Sequence, residues 1–322
     1  MEKYKRKVYD LGDIMEKFIV FLLLILFSFP FFIPFFIEKI DVPVIYQLTN
    51  IDLNKITTYY RPKYLIIDYS KNGSEKNKFS HWDISRIKSK DIIPLAYLSI
   101  GEAEDYRFYW NEKWYYDPPE WLDAENPKWE GNYKVKYWYK EWKNIIFSYL
   151  DKIISQGFSG VYLDLIDSYI YWADNGYNIK MTASEMIDFV LEIAEYARKK
   201  NPNFLIVPQN AEEILEYDDK GEYIKNISGI GVESLFYKKN RKRSDKYISN
   251  RLRYILRIKD AGKFVLVTDY VYNPQKINED NIKDFIKLCE KYGFYGYPAN
   301  TNQKLDDISG ALKYYKVEEV KK

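Results

Sequence analysis

Residues Gly157 to Asp167 read GFSGVYLDLID, and the fold is decided by how this stretch is read. Gly157 ends an apolar-periodic segment running through Ile145, Ile146, Tyr149, Leu150, Ile153 and Ile154, and glycine readily takes the left-handed cap conformation that closes a helix. Val161-Tyr162-Leu163 is β-prone and unbroken by polar residues, the pattern of a strand buried on both faces. Asp164 then falls at that strand's carboxyl end, with Asp167 three residues further on. In parallel α/β architectures the loops that follow the strands form the mouth of the site, so an acid here is a candidate for chemistry.

The same grammar recurs on both sides. Short β-prone runs at Val44 to Leu48, Tyr64 to Tyr69, Ile92 to Ser99, Gly160 to Asp164, Phe204 to Gln209, Ile227 to Glu233, Phe264 to Tyr270 and Phe294 to Ala299 predict eight strands. Helical spacing fills the gaps. One helix is predicted to start at Thr182, where TASE reads as a capping box before Ile187, Val190, Leu191, Ala194 and Ala197. Others run through Ile248, Leu252, Ile255 and Leu256 to Gly262, and through Ile282, Phe285, Ile286 and Cys289 to Gly293. Eight strands alternating with helices predict an α/β fold, a (β/α)8 TIM-type barrel, over residues 40–322. SQGFSGVYLD and EKYGFYGYPAN share a helix end, a Gly-Phe-x-Gly turn and a strand, as repeated βα units would. Glu102 to Tyr139, rich in Trp and Tyr, is too long for an ordinary βα connection and is expected to be an aromatic insertion roofing the mouth.

Ahead of the barrel, Phe18 to Ile37 is an uncharged apolar run of 20 residues, enough to cross a bilayer. Lys3, Lys5, Arg6, Lys7 and Lys17 precede it and Glu38 and Asp41 follow, which favours the amino end inside. Residues 1–39 therefore read as an export signal or uncleaved membrane anchor, with the barrel extracellular, secreted or held on the outer face of the membrane. The net charge of +2, with both signs interleaved along the chain, gives no reason to expect a nucleic-acid partner. The lone Cys289 excludes an intramolecular disulfide and reads as core packing. The lone His81 argues against a zinc site and leaves a Ser-His-Asp triad only one possible base. No cofactor is expected. Aromatic residues make up 18% of the chain; they suit stacking on sugar faces, and equally they fill cores.

The predicted strands end in Asp68, in Ser99 with Glu102 beyond, in Asp164 with Asp167, in Gln209 with Asn210, and in Glu233, Asp269 and Asn300. These acids directly follow apolar runs, where an uncompensated carboxylate is disfavoured and its pKa rises. Two carboxyl groups flanking a substrate bond are the equipment of glycoside hydrolysis, one protonating the leaving oxygen while the other attacks or activates water. Asp164 and Glu233, on the fourth and sixth strands, are the expected catalytic pair. Asp68, Glu102, Asp167, Gln209, Asn210 and Asp269 are expected to bind substrate. Two rival readings use the same residues. One is a carbohydrate-binding barrel without turnover; the other is a metal-dependent hydrolase or deacetylase built on Asp68, Asp164 and Asp167, whose all-oxygen ligands would suit Mg or Ca.

YLSIGEAEDYRFYW, GFSGVYLDLIDSY, VPQNAEEIL, GIGVESLFY and VLVTDYV, in that order, resemble glycoside hydrolase family 114, the endo-α-1,4-polygalactosaminidases and their relatives. The resemblance runs from Val42 to Thr301. It implies a (β/α)8 fold, extracellular action on a galactosamine-containing polymer, and catalytic carboxylates at Asp164 and Glu233. The long aromatic insertion after Glu102 departs from the family pattern and bears on which substrate is taken. A mouth carrying Asp68, Glu102, Glu104, Asp105, Asp167 and Asp269 would attract a cationic, de-N-acetylated sugar chain.

Overall fold

Strands with both faces covered read as continuous apolar runs, and those runs are what form the sheet of this chain. The computed structural model describes residues 38–315; the apolar run Phe18 to Ile37 lies outside them, and the barrel unit starts at Lys39. Eight barrel strands are present: β1 (Ile40–Gln47), β2 (Tyr60–Ile67), β3 (Ile93–Ser99), β4 (Gly160–Asp164), β5 (Leu205–Pro208), β6 (Gly229–Glu233), β7 (Phe264–Tyr272) and β8 (Tyr295–Asn300). Parallel ladders join β1 through β5 in sequence order, and a second set joins β6, β7 and β8. A parallel bridge between Gln209 and Gly231 links the two sets, and β1 lies beside β8, which closes the ring.

Among the described residues eight helices accompany the strands: α1 (Leu53–Tyr59), α2 (His81–Lys88), α3 (Lys140–Gln156), α4 (Ser168–Asp174), α5 (Ile179–Lys200), α6 (Glu222–Asn226), α7 (Asp245–Asp260) and α8 (Glu279–Tyr292). Gly157 caps α3 with φ +88°, the left-handed conformation its position calls for. Helix α5 begins earlier than Thr182. The Asn178 side chain accepts from the Lys180 and Met181 amides and caps it, while the Thr182 hydroxyl is buried and donates to Tyr169 O, so the apparent capping box lies inside the helix. Cys289 packs in the core from α8, and His81 sits on the outer helix α2 beside Ser85, away from the cleft.

Gly231 on β6 is required by close approach. A Cβ there would stand 1.9 Å from the Tyr162 hydroxyl, because the Tyr162 ring occupies the space a side chain would fill. The insertion after β3 is a folded element and not an irregular loop. Strands Glu102–Glu104, Asn132–Val135 and Leu122–Glu125 form a small antiparallel sheet with the second of these in the middle. Its aromatics mostly pack on one another and on α3: Trp110 against Trp114, Trp114 against Trp121, and Trp121 against Trp142. Many of the roof's aromatics are therefore its own core.

Candidate functional site

Side chains alternate across a strand, so residues two apart share a face. On β4, Tyr162 and Asp164 share one face; on β6, Gly231 and Glu233 do; on β7, Thr268 and Tyr270 do. Glu233 lies in register with Thr268, and Asp164 with Ser99. Asp164 and Glu233 are thereby delivered to one cleft of about 820 Å³ at the carboxyl ends of the strands, together with Asp68, Glu102, Asp167, Gln209 and Asn210.

Each member of the central pair receives a hydroxyl from a tyrosine on a neighbouring strand. Tyr97 OH donates to Asp164 Oδ2 at 2.8 Å and Leu165 N to Oδ1 at 2.8 Å. Tyr270 OH donates to Glu233 Oε1 at 2.6 Å, and the Gln209 and Asn210 side chains lie beside its carboxyl and favour the charged form. Burial and the nearby Glu233 charge push Asp164 up to about 8. Burial also raises Glu233, opposed by its hydrogen bond from Tyr270 and by Gln209 and Asn210. The Asp164 carboxyl is thereby held protonated near neutral pH, with the Glu233 charge one of the causes.

The backbone around Glu233 is clamped from behind. Asn210 Oδ1 accepts from Glu233 N at 2.8 Å, and Arg251 on α7 donates to Glu233 O at 2.7 Å while its guanidinium grips the buried Glu212 carboxylate. The residue after each acid is left-handed and is not glycine: Leu165 has φ +64° and Ser234 φ +53°. Such conformations are disfavoured by about 1–3 kcal/mol and persist only where surrounding structure imposes them.

Three further acids of the cleft, Asp68, Glu102 and Glu104, are held by cations. Asp68 and Glu104 grip Arg107 from two sides, at 2.6 Å each, and all three are buried. Glu102 accepts from Lys134 and from Asn126 Nδ2 at 2.8 Å. Asp167 opens toward the cleft; the walls around it raise its carboxyl and Lys134 opposes that rise. Asp269 must be moved out of the site. It has the opposite parity to Thr268 and Tyr270, is fully buried, does not line the cleft, and accepts from the Leu235, Phe236 and Tyr237 amides at 2.7 Å each. Its role is to shape the loop after Glu233, and burial raises its carboxyl to about 7 despite those three bonds. The metal reading also fails on donors. Both Asp68 oxygens are taken, by Arg107 and by Ser70 N, and among the described residues no group of three or more His, Cys, Asp or Glu could hold a metal ion.

Tyr97, Arg107, Lys134, Arg251 and Tyr270 went unnoticed in the sequence. Strand parity counted back from Ser99 would have found Tyr97, and the Glu104-x-x-Arg107 spacing hinted at the buried pair; Tyr270 shares the face of Thr268, which only the register with Glu233 brings to the site.

The model of the glycoside-hydrolase family GH114 matches residues 50–316. An uncharacterised protein of Methanocaldococcus jannaschii is 49% identical over 267 residues, covering 82% of this chain and 77% of that one. Another, from Thermotoga maritima, is 46% identical over 268 residues, covering 82% of each. Among solved structures, the glycoside hydrolase domain of PelA from Pseudomonas aeruginosa superposes with a TM-score of 0.64 at 14% identity, over 84% of this chain and 98% of that domain. Aspergillus fumigatus Ega3 in complex with galactosamine gives a TM-score of 0.61 at 18% identity, over 84% of this chain and 95% of that one. At those identities the two structures speak for the barrel fold alone.

Proposed function

Because the chain belongs to glycoside hydrolase family GH114, we propose that it cleaves a galactosamine-containing polysaccharide within the chain and outside the cell, using Asp164 and Glu233 as its two carboxylates. The observation that carries the proposal is the pair itself. Two acids from different strands line one cleft, accept from tyrosine hydroxyls and, among the described residues, form no ion pair, and burial raises both carboxyls, Asp164 to about 8. Hydrolysis requires one group able to give a proton near neutral pH, and a carboxyl raised as far as that of Asp164 meets the requirement.

The cleft's charge supports a cationic sugar. Seven carboxyls line it against four cations, Arg107, Lys128, Lys134 and Lys304, so it stays negative even with one proton on the pair. Trp129 and Tyr106, both about half exposed, offer rings at its rim for sugar stacking. The galactosamine bound by Ega3 is a sugar of this kind. Action outside the cell rests on the apolar run Phe18 to Ile37.

The test is incubation of the purified protein with α-1,4-galactosamine oligomers, deacetylated and acetylated, with product masses followed over time. Shorter oligomers are expected from the deacetylated series, with turnover falling as salt rises. Binding without product release would make the chain a carbohydrate-binding barrel, and cleavage indifferent to salt and acetylation would remove the cationic substrate.

A further inference from the structure

Five of the six residues from Lys238 to Arg243, KKNRKR, are cationic. The whole chain carries only +2, so everything outside this run is net negative. The fold gathers the five charges on an antiparallel hairpin, Tyr237–Lys238 against Arg241–Lys242, in the loop that follows β6. The hairpin is thus at the same end of the barrel as the acidic cleft, yet none of its cations lines that cleft. With Ser244 and Tyr247 they line a separate shallow hollow of about 680 Å³.

Several features of this hairpin work against its own folding. Lys238 and Arg241 stand directly opposite each other on the ladder, a like-charge cross-strand pair that is destabilising by itself. Lys239 is held left-handed at φ +47°. The Arg243 Nε is buried without a hydrogen-bond partner, although its guanidinium gains a favourable stack 3.6 Å from the Tyr247 ring centre. Among the described residues, Lys242 alone of the five has an ion-pair partner, Asp284 at 2.7 Å.

A merely solvated charge run would relieve this crowding by moving apart. Here the chain is tied down instead. Asn240 N donates to Tyr270 O at 2.9 Å and Arg243 N to Phe236 O at 2.7 Å. Asn281 Nδ2 donates to Asn240 O at 2.9 Å and to its Oδ1 at 2.8 Å. The backbone that carries the cations is held in one conformation, and an anion that fills the hollow would offset the repulsion between them.

We propose that this hairpin is a binding site for a linear phosphate polyanion, held by Lys238, Lys239, Arg241 and Arg243. Guanidinium forks match phosphoryl oxygens two at a time, and the lysines add point charges beside them. One phosphate would neutralise only part of the set, whereas a chain of phosphates addresses all four residues. The site is independent of the hydrolase reading.

The experiment titrates the full chain with labelled inorganic polyphosphate, with inorganic phosphate and polygalacturonate as separate arms. A Lys238→Gln, Lys239→Gln, Arg241→Gln variant is compared with a control that loses the same charge at the exposed Lys76, Lys180 and Arg257. Polyphosphate is expected to bind the wild type and the control alike, to weaken roughly tenfold or more between low salt and about 0.2 M, and to raise Tm. The hairpin variant should bind at least tenfold more weakly and show no Tm rise. Equal losses in variant and control, equal binding of polygalacturonate, full competition by inorganic phosphate at matched phosphorus, or no binding at low salt would each overturn the proposal.

Discussion

The acids of the cleft fall into two regions that look alike in sequence and behave oppositely in the fold. Around β2 and the roof, Asp68, Glu102 and Glu104 are ion-paired to Arg107 and Lys134. At the ends of β4 and β6, Asp164 and Glu233 accept from tyrosine hydroxyls, Asp164 also from the Leu165 amide, and the Glu233 charge acts on Asp164. A carboxylate gripped by a cation has its oxygens occupied and becomes scaffold. One answered by neutral donors in a buried place keeps a proton within reach of physiological pH, which makes it available for chemistry.

The sharpest way to break this division is to neutralise each class. Asp164→Asn and Glu233→Gln should each lower turnover by about 10²–10⁴-fold with the far-ultraviolet circular dichroism unchanged; residual activity near wild type in either would strike that residue from the pair. In the paired region the loss should appear in stability. Arg107→Met leaves Asp68 and Glu104 buried without their cation and should lower unfolding stability by about 3–5 kcal/mol, read as a fall in the denaturation midpoint.

A smaller effect separates the classes by sign. The Asp164 carboxyl is raised from its ordinary value near 4 to about 8 in the fold. Folding is therefore unpenalised by this group below about pH 4 and loses stability as pH rises toward and through 8. Asp164→Asn removes that loss, so the inactive variant should be more stable than wild type by about 1–3 kcal/mol above pH 8, with the difference vanishing below pH 4 in parallel thermal melts. The smallest expected change is that of Tyr97→Phe. Its hydroxyl favours the ionised form of Asp164, so its loss should move the alkaline limb of the pH–rate profile upward by about one unit or less. An unmoved limb would mean that this limb does not report Asp164.

Much of the barrel was legible because buried parallel strands advertise themselves as apolar runs, and all eight appear within a few residues of where periodicity put them. The convergence of Asp164 and Glu233 was legible for the same reason: both terminate such runs. Asp269 also terminates one, and was misassigned because β7 continues to Tyr272, so the acid is not at the strand's end and faces the other way. Partners from distant sequence were not legible. Nothing local to Asp68 announces Arg107, 39 positions away, and nothing local to Glu233 announces Arg251. The basic hairpin escaped notice because charge was weighed over the whole chain, while the fold concentrates it in one turn.

Leu165 and Ser234 leave the sheet by a left-handed step immediately after each acid. The two carboxyls are in consequence the last groups whose coordinates are dictated by the ladder, with no slack between framework and reactive atom. The loops that leave the strand ends, the roof after β3 and the hairpin after β6 alike, lie outside that framework and can change in length and sequence without altering the distance between the two carboxyls.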